Sequence, residues 1–217
     1  MMDRQREQKE QRFLLATAFI GHLTNDWAAG TIWLIAPAIA ASMGLGPAEV
    51  GLLLAVNGFG AALGYVPAGI AADRFAHQGR LLAITFWWVA LGYLGASLVP
   101  GFWFITLLFA FGTMGDAFWH PVATGILVKR MPEKKARVLG IHAMGGSIGA
   151  EVLGPLSAGL LLGVFDWRTS MQILVIPVVV IGIIFVPVSR RVGTIVQRMC
   201  GANSPIPARA PAPNAGR

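Results

Sequence analysis

From residue 13 to residue 73 the chain carries no Lys or Arg, a run of 61 residues. Three more gaps follow, at 81–128, 138–167 and 169–189. A helix that crosses a bilayer needs about 20 apolar residues, so the four gaps hold two, two, one and one crossings. Turn residues divide the long gaps: Gly44-Leu45-Gly46-Pro47 the first and Pro100-Gly101 the second. The reading is an all-α membrane protein of six transmembrane helices, at about 13–42, 49–72, 79–98, 101–129, 136–163 and 169–189. Composition agrees. Charged residues are 12% and hydrophobic residues 55%, whereas a soluble domain carries about 25% charge. Soluble globule, coiled coil and disordered chain are excluded. The runs are too long for strands and lack strict alternation, and a helix satisfies its own backbone in lipid.

Residues 1–12 read as a short solvated tail with no signal peptide. Residues 190–217 read as a largely disordered tail, Pro- and Ala-rich at its end. Six crossings put both termini on one side. Of the 17 Lys and Arg, 16 fall on that side, in the two tails and the loops at 73–80 and 129–137; only Arg168 lies opposite. Basic loops face the cytoplasm, so both termini are cytoplasmic. Topology thus explains the net charge of +7, and no nucleic-acid partner is expected. A single cysteine, Cys200, excludes a disulfide framework and a cysteine metal site. No metal and no cofactor are expected.

Ionisable groups inside a bilayer are costly and mark function by default. Span 1 holds His22, Asn25 and Asp26, span 4 holds Asp116 and His120, and span 5 holds His142 and Glu151. Asp26 lies 13 residues from the cytoplasmic start of span 1, Asp116 13 residues from the cytoplasmic end of span 4, and Glu151 15 residues into span 5. At about 1.5 Å per residue all three reach the midplane. His22 and Asp26 share a helix face, as do Asp116 and His120. If spans 1 and 4 flank one cavity, the two pairs face each other. Low dielectric disfavours the charged carboxylate and a nearby imidazole can exchange its proton, so the set suits proton coupling, with Glu151 assisting. For each of these groups a hydrogen bond between helices is the alternative. His142 reads as a structural residue near the cytoplasmic interface. Asn25, Trp27 and Trp119 are candidates for a substrate cavity.

The two halves of the chain echo each other. Asp26 and Asp116 are 90 residues apart, Gly51/Gly140 and Gly60/Gly149 are each 89 apart, and Pro67/Pro155 are 88 apart. Three crossings per unit invert the second unit, and inverted three-helix repeats are found in transporters, with the site at the midplane between them.

Several stretches resemble the N-terminal half of a major facilitator superfamily transporter. GIAADRFAHQGR at 69–80 is similar to the family's loop between spans 2 and 3: Gly69, Asp73, Arg74 and Arg80 match, and Gly79 is displaced by three residues. Gly149, Gly154, Pro155 and Gly159 resemble the span 5 motif of its proton-coupled exporters. The family's span 4 Arg falls at Leu108, so Asp116, His120 and Asp26 would replace it. GHLTND (21–26), FWHP (118–121) and MGGSIGAEVLGP (144–155) look most like the fosmidomycin-resistance branch, which exports small drugs against protons. The resemblance implies a multi-pass plasma-membrane protein, in a bacterium the inner membrane, working on a small-molecule substrate and protons by alternating access. The family has twelve spans, so a second six-helix half is implied, from a homodimer or a partner chain, with the Asp73 loop at the interface. The alternative is a non-transporting half-transporter fragment or membrane interaction module. An intramembrane enzyme is not expected: no His follows Ser147, His22 and Asp26 lack the acyltransferase spacing, and no His-Glu-x-x-His occurs.

Overall fold

A computed structural model describes residues 2–202. Every regular element among them is helical: α1 (Met2–Gly30), α2 (Ile32–Ser42), α3 (Pro47–Arg74), α4 (Gln78–Leu98), α5 (Phe102–Arg130), a 3-10 turn (Pro132–Lys134), α6 (Lys135–Ser147), a π-helical turn (Ile148–Leu153), α7 (Gly154–Leu162) and α8 (Trp167–Ala202). Among the described residues, five helical segments are long and apolar enough to cross a membrane: 47–74, 78–98, 102–130, 132–162 and 167–198.

The boundaries differ from the sequence expectation where charge was used as a stop. α1 begins at Met2, so the solvated residues 2–12 are helical. α8 runs on to Ala202, past residue 189. Charge ends the stretch that lipid tolerates, not the helix. Glu10 ties the two extensions together: its carboxylate accepts from Arg130 at 2.9 Å and from Arg198 at 3.3 Å. Residues 203–217 lie outside the described residues.

The expected single span at 13–42 is divided at Thr31, whose hydroxyl donates to the Ala28 carbonyl at 2.7 Å. Pro155 shapes the second interruption. Lacking an N–H, it cannot bond the carbonyl four residues back, and the backbone widens by one residue: the Gly154 N–H bonds Gly149, five residues back. Gly44 closes α2 at φ 68° and Gly101 precedes α5 at φ 83°, a region open to glycine at no steric cost. Asp166 caps α8, accepting from the Arg168 and Thr169 N–H groups and from the Thr169 hydroxyl at 2.7 Å, which holds its carboxyl below the usual range.

α5 packs along α3 and α4, α4 also along α8, and α1 along α6 and the π turn. The core lies around α5, where Ile105, Phe109, Trp119, Val122 and Leu127 are fully buried against Phe86, Val89 and Tyr93 of α4 and Met171 of α8. The outside is apolar as well: Phe59 is 64% exposed and Val66 70%, as a lipid-facing surface requires. Helices meet through small residues. Gly60 of α3 sits on the Ala110 carbonyl and Gly64 on the Met114 carbonyl of α5. In the same way Gly145, Gly149 and Gly154 sit on the Phe19, Leu23 and Trp27 carbonyls of α1.

Candidate functional site

The close approach of α1 to α6 sets the site. Gly146 leaves the space that His22 and Asp26 fill: a Cβ there would lie 2.5 Å from His22 Nε2 and 2.7 Å from Asp26 Oδ2. His22 and Asp26, one turn apart on α1, meet at 3.3 Å between Nε2 and Oδ2. Across from them α5 presents Asp116 and His120, again one turn apart. His120 Nε2 lies 3.9 Å from Asp26 Oδ1 and 4.0 Å from Asp116 Oδ2. The two Asp–His pairs thus form one cluster, with the His22 and His120 rings edge to face at 4.7 Å.

His142 completes the cluster, contrary to its reading as a residue of the interface. It is 2% exposed, its ring stacks on His22 at 4.1 Å, and its Nδ1 donates to the Ala18 carbonyl at 3.2 Å. The His142 carbonyl in turn accepts from His22 Nδ1 at 2.7 Å. A carbonyl can only accept, so both rings have their N–H at Nδ1 and turn Nε2 inward as an acceptor, unless they carry a second proton. One signal in the sequence points to His142: Gly145, Gly146 and Gly149 stand three, four and seven residues after it, so it shares the glycine face that meets α1. Tyr65 of α3, also missed, stacks on His120 at 5.8 Å where the cluster reaches the surface.

Asp26 Oδ1, Asp116 Oδ1 and His142 Nε2 are buried without a hydrogen-bond partner. Two triads have ligating atoms within 4.8 Å of one another: His22, His120 and His142, and Asp26, Asp116 and His120. The expectation of no metal set does not anticipate this grouping.

Other expected site residues lie elsewhere. Glu151 is exposed in the π turn and outside the cluster. Nine residues from His142 is two and a half turns, which is the opposite face. Trp119 is wholly buried, packed on Gly21, Phe86 and Phe185 between α1, α4 and α8. Asn25 is interior too, its amide donating to Thr85 Oγ1 at 3.3 Å. Trp27 ties α1 to α7, its indole donating to Ser157 Oγ at 2.8 Å. Gly149 and Gly154 are buried helix contacts, Pro155 is half-buried, and Gly159 is exposed. In the 73–80 loop Asp73, Arg74 and Arg80 are exposed, Gly69 stands half-buried on α3, and Asp73 pairs with Lys129 at 3.5 Å with its side chain 79% exposed.

A second polar group joins α3, α4 and α5. The Thr113 hydroxyl donates to Asn57 Oδ1 at 2.6 Å and lies 2.9 Å from the Tyr93 hydroxyl. It contains no titrating acid or imidazole.

Compared with known proteins, residues 18–206 match the Major Facilitator Superfamily. Over 146 residues the chain is 28% identical to an uncharacterized 38 kDa protein in the 23S RNA operon of Thermoproteus tenax, covering 67% of this chain and 39% of that protein. Over 128 residues it is 27% identical to the inner membrane protein YqcE of Escherichia coli (strain K12), covering 58% of this chain and 28% of that protein. The chain thus spans less than half the length of these curated relatives.

Proposed function

This chain belongs to the Major Facilitator Superfamily, a family of secondary transporters, and we propose that it forms the proton-coupling half of a carrier that works by alternating access. It is a multi-pass membrane protein. In this reading α1 with α2 makes a sixth crossing, both termini are cytoplasmic, and the membrane is a plasma membrane, in a bacterium the inner one. The spans form two inverted three-helix repeats. The matched close contacts Gly60–Ala110 and Gly149–Leu23 support that symmetry.

The observation that carries the proposal is the meeting of Asp26 and Asp116 with His22 and His120 between α1 and α5. Two carboxyls and two imidazoles within hydrogen-bonding reach can take up and pass a proton. Proton binding drives transport only if the inward- and outward-facing states differ in proton affinity, and a cluster split between α1 and α5 has that property if the two helices part. The resemblance to the fosmidomycin-resistance branch favours export of a small organic solute. A further set of helices would complete the cavity, and the resemblance sets the exposed Asp73 loop at that junction.

The test is flux in liposomes that enclose a pH-sensitive dye, under an imposed pH gradient, with a panel of small organic solutes added in turn. The wild-type protein should collapse the gradient faster with at least one solute, and Asp26→Asn should abolish that increment while keeping its elution profile. Equal flux in Asp26→Asn removes Asp26 from the coupling role.

A further inference from the structure

The polar cluster has more acceptors than a hydrogen-bond network can use. His22 and His142 both commit Nδ1 to backbone carbonyls and face inward with Nε2. Asp26 and Asp116 add carboxylate oxygens, of which one on each is buried and unpartnered. The His120 ring turns its Nε2 toward both carboxylates. Two acceptors turned on one another, as His22 Nε2 and Asp26 Oδ2 are at 3.3 Å, repel unless a cation lies between them. A proton joins one pair of acceptors. A divalent ion satisfies four at once.

We propose that the cluster is a binding site for a divalent transition-metal ion of the Zn2+, Co2+ and Ni2+ class, held by His22, His142 and His120 with Asp26 or Asp116. The binding site itself does not rest on the carrier reading above.

Three observations carry the assignment. The first is geometry. Metal–ligand bonds of about 2.0–2.1 Å in a tetrahedron put ligand atoms about 3.3–3.4 Å apart. His22 Nε2 and Asp26 Oδ2 stand at 3.3 Å, His120 must close by about 0.6 Å from 3.9 Å, and the His142 ring must tilt out of its stack on His22 to aim Nε2 at the same ion. The second is orientation. A metal-binding histidine almost always gives its other N–H to a carbonyl or carboxylate, which fixes the tautomer and the ring. His22 and His142 both do this. The third is the unspent valence of His142: its Nε2 lies in a fully enclosed position without a partner. The donor set selects the ion. Imidazole with carboxylate suits Zn2+, Co2+ and Ni2+, whereas Mg2+ and Ca2+ take oxygen and Cu+ takes sulfur.

Binding is measured on the purified full chain in detergent, carried without a histidine tag. Co2+ alone is titrated against its visible ligand-field bands, and Zn2+ is then added to displace it. One Co2+ per chain should bind saturably, and Zn2+ should remove it. Of the four histidines of the chain, His77 lies at the surface, so His77→Ala should leave the titration unchanged. His142→Ala should weaken binding by about tenfold or more. His142→Gln, whose amide can still donate to the Ala18 carbonyl, should weaken it as much while keeping the wild-type elution profile and melting temperature. Absence of saturable Co2+ binding overturns the proposal, as does binding that His142→Gln leaves intact. Since the titration uses no pH gradient, its result is independent of the flux assay. Co2+ binding without coupled flux keeps the site and removes the carrier reading. Coupled flux without Co2+ binding does the reverse.

Discussion

Two helix crossings in this molecule are built alike and used differently. Where α3 meets α5, Gly60 and Gly64 rest on the Ala110 and Met114 carbonyls. Where α1 meets α6 and the π turn, Gly149 and Gly154 rest on the Leu23 and Trp27 carbonyls. Each crossing buries polar side chains beside its glycines. At α3–α5 the group is Asn57, Thr113 and Tyr93, a closed set of neutral donors and acceptors. At α1–α6 the group reaches across to α5 and consists of Asp and His, with buried acceptors left over. The backbone contact is a packing device common to both crossings. The chemistry of the side chains beside it decides whether a crossing is structural or functional.

The largest effect should come from filling the shared device. Gly60→Leu and Gly149→Leu each drive a side chain into a facing carbonyl on the neighbouring helix, and each should cost about 3 kcal/mol or more. Thermal unfolding in detergent would show both as strongly destabilised. If one crossing tolerates leucine, the two are not equivalent in packing. Next in size, Gly146→Ala tests the functional crossing alone. Its Cβ meets the His22 ring and the Asp26 carboxylate, so coupled flux should fall by more than tenfold while the melting temperature drops only slightly. A variant that melts early with normal flux per folded molecule would mark Gly146 as packing. Thr113→Val removes the hub of the neutral group and should cost about 1 kcal/mol, in line with hydrogen bonds between membrane helices, with flux retained. The smallest effect lies outside both crossings. The Asp166 carboxyl is held below its usual range by Thr169 and backbone N–H groups. Its capping contribution is therefore complete above the unfolded value near 4 and fades as the pH falls through the lower folded value. Asp166→Asn should flatten that acid limb of the melting curve, with a slightly lower melting temperature at neutral pH that converges on the wild type in acid.

Much of this contrast is legible in the sequence. Equal depth and four-residue spacing put His22–Asp26 and Asp116–His120 at one level, and the structure brings the pairs together. Of the glycine pairs 89 residues apart, Gly60 and Gly149 recur as counterpart helix contacts, whereas Gly51 and Gly140 face open space. Depth alone misleads where azimuth matters. Glu151 has the depth of the other acids but stands on the face opposite His142. Trp119 is adjacent to His120 in sequence yet turns toward α4 and α8. The π turn and the stacking of His142 on His22 depend on Pro155 and on contacts across 120 residues, which no local period encodes. The helices extend past the charge-free stretches at both ends because charge limits burial in lipid without limiting helicity.

The central claim is that the acids between α1 and α5 bind protons while the neutral group one turn away on the same helix does not contribute. Infrared difference spectra of the purified protein across a pH titration report a carboxyl C=O band directly, with no cargo needed. Asp116→Asn and Thr113→Val alter residues three apart on α5. The account predicts a titrating buried-carboxyl band in the wild-type protein and in Thr113→Val that is lost in Asp116→Asn. An unchanged band in Asp116→Asn would contradict it.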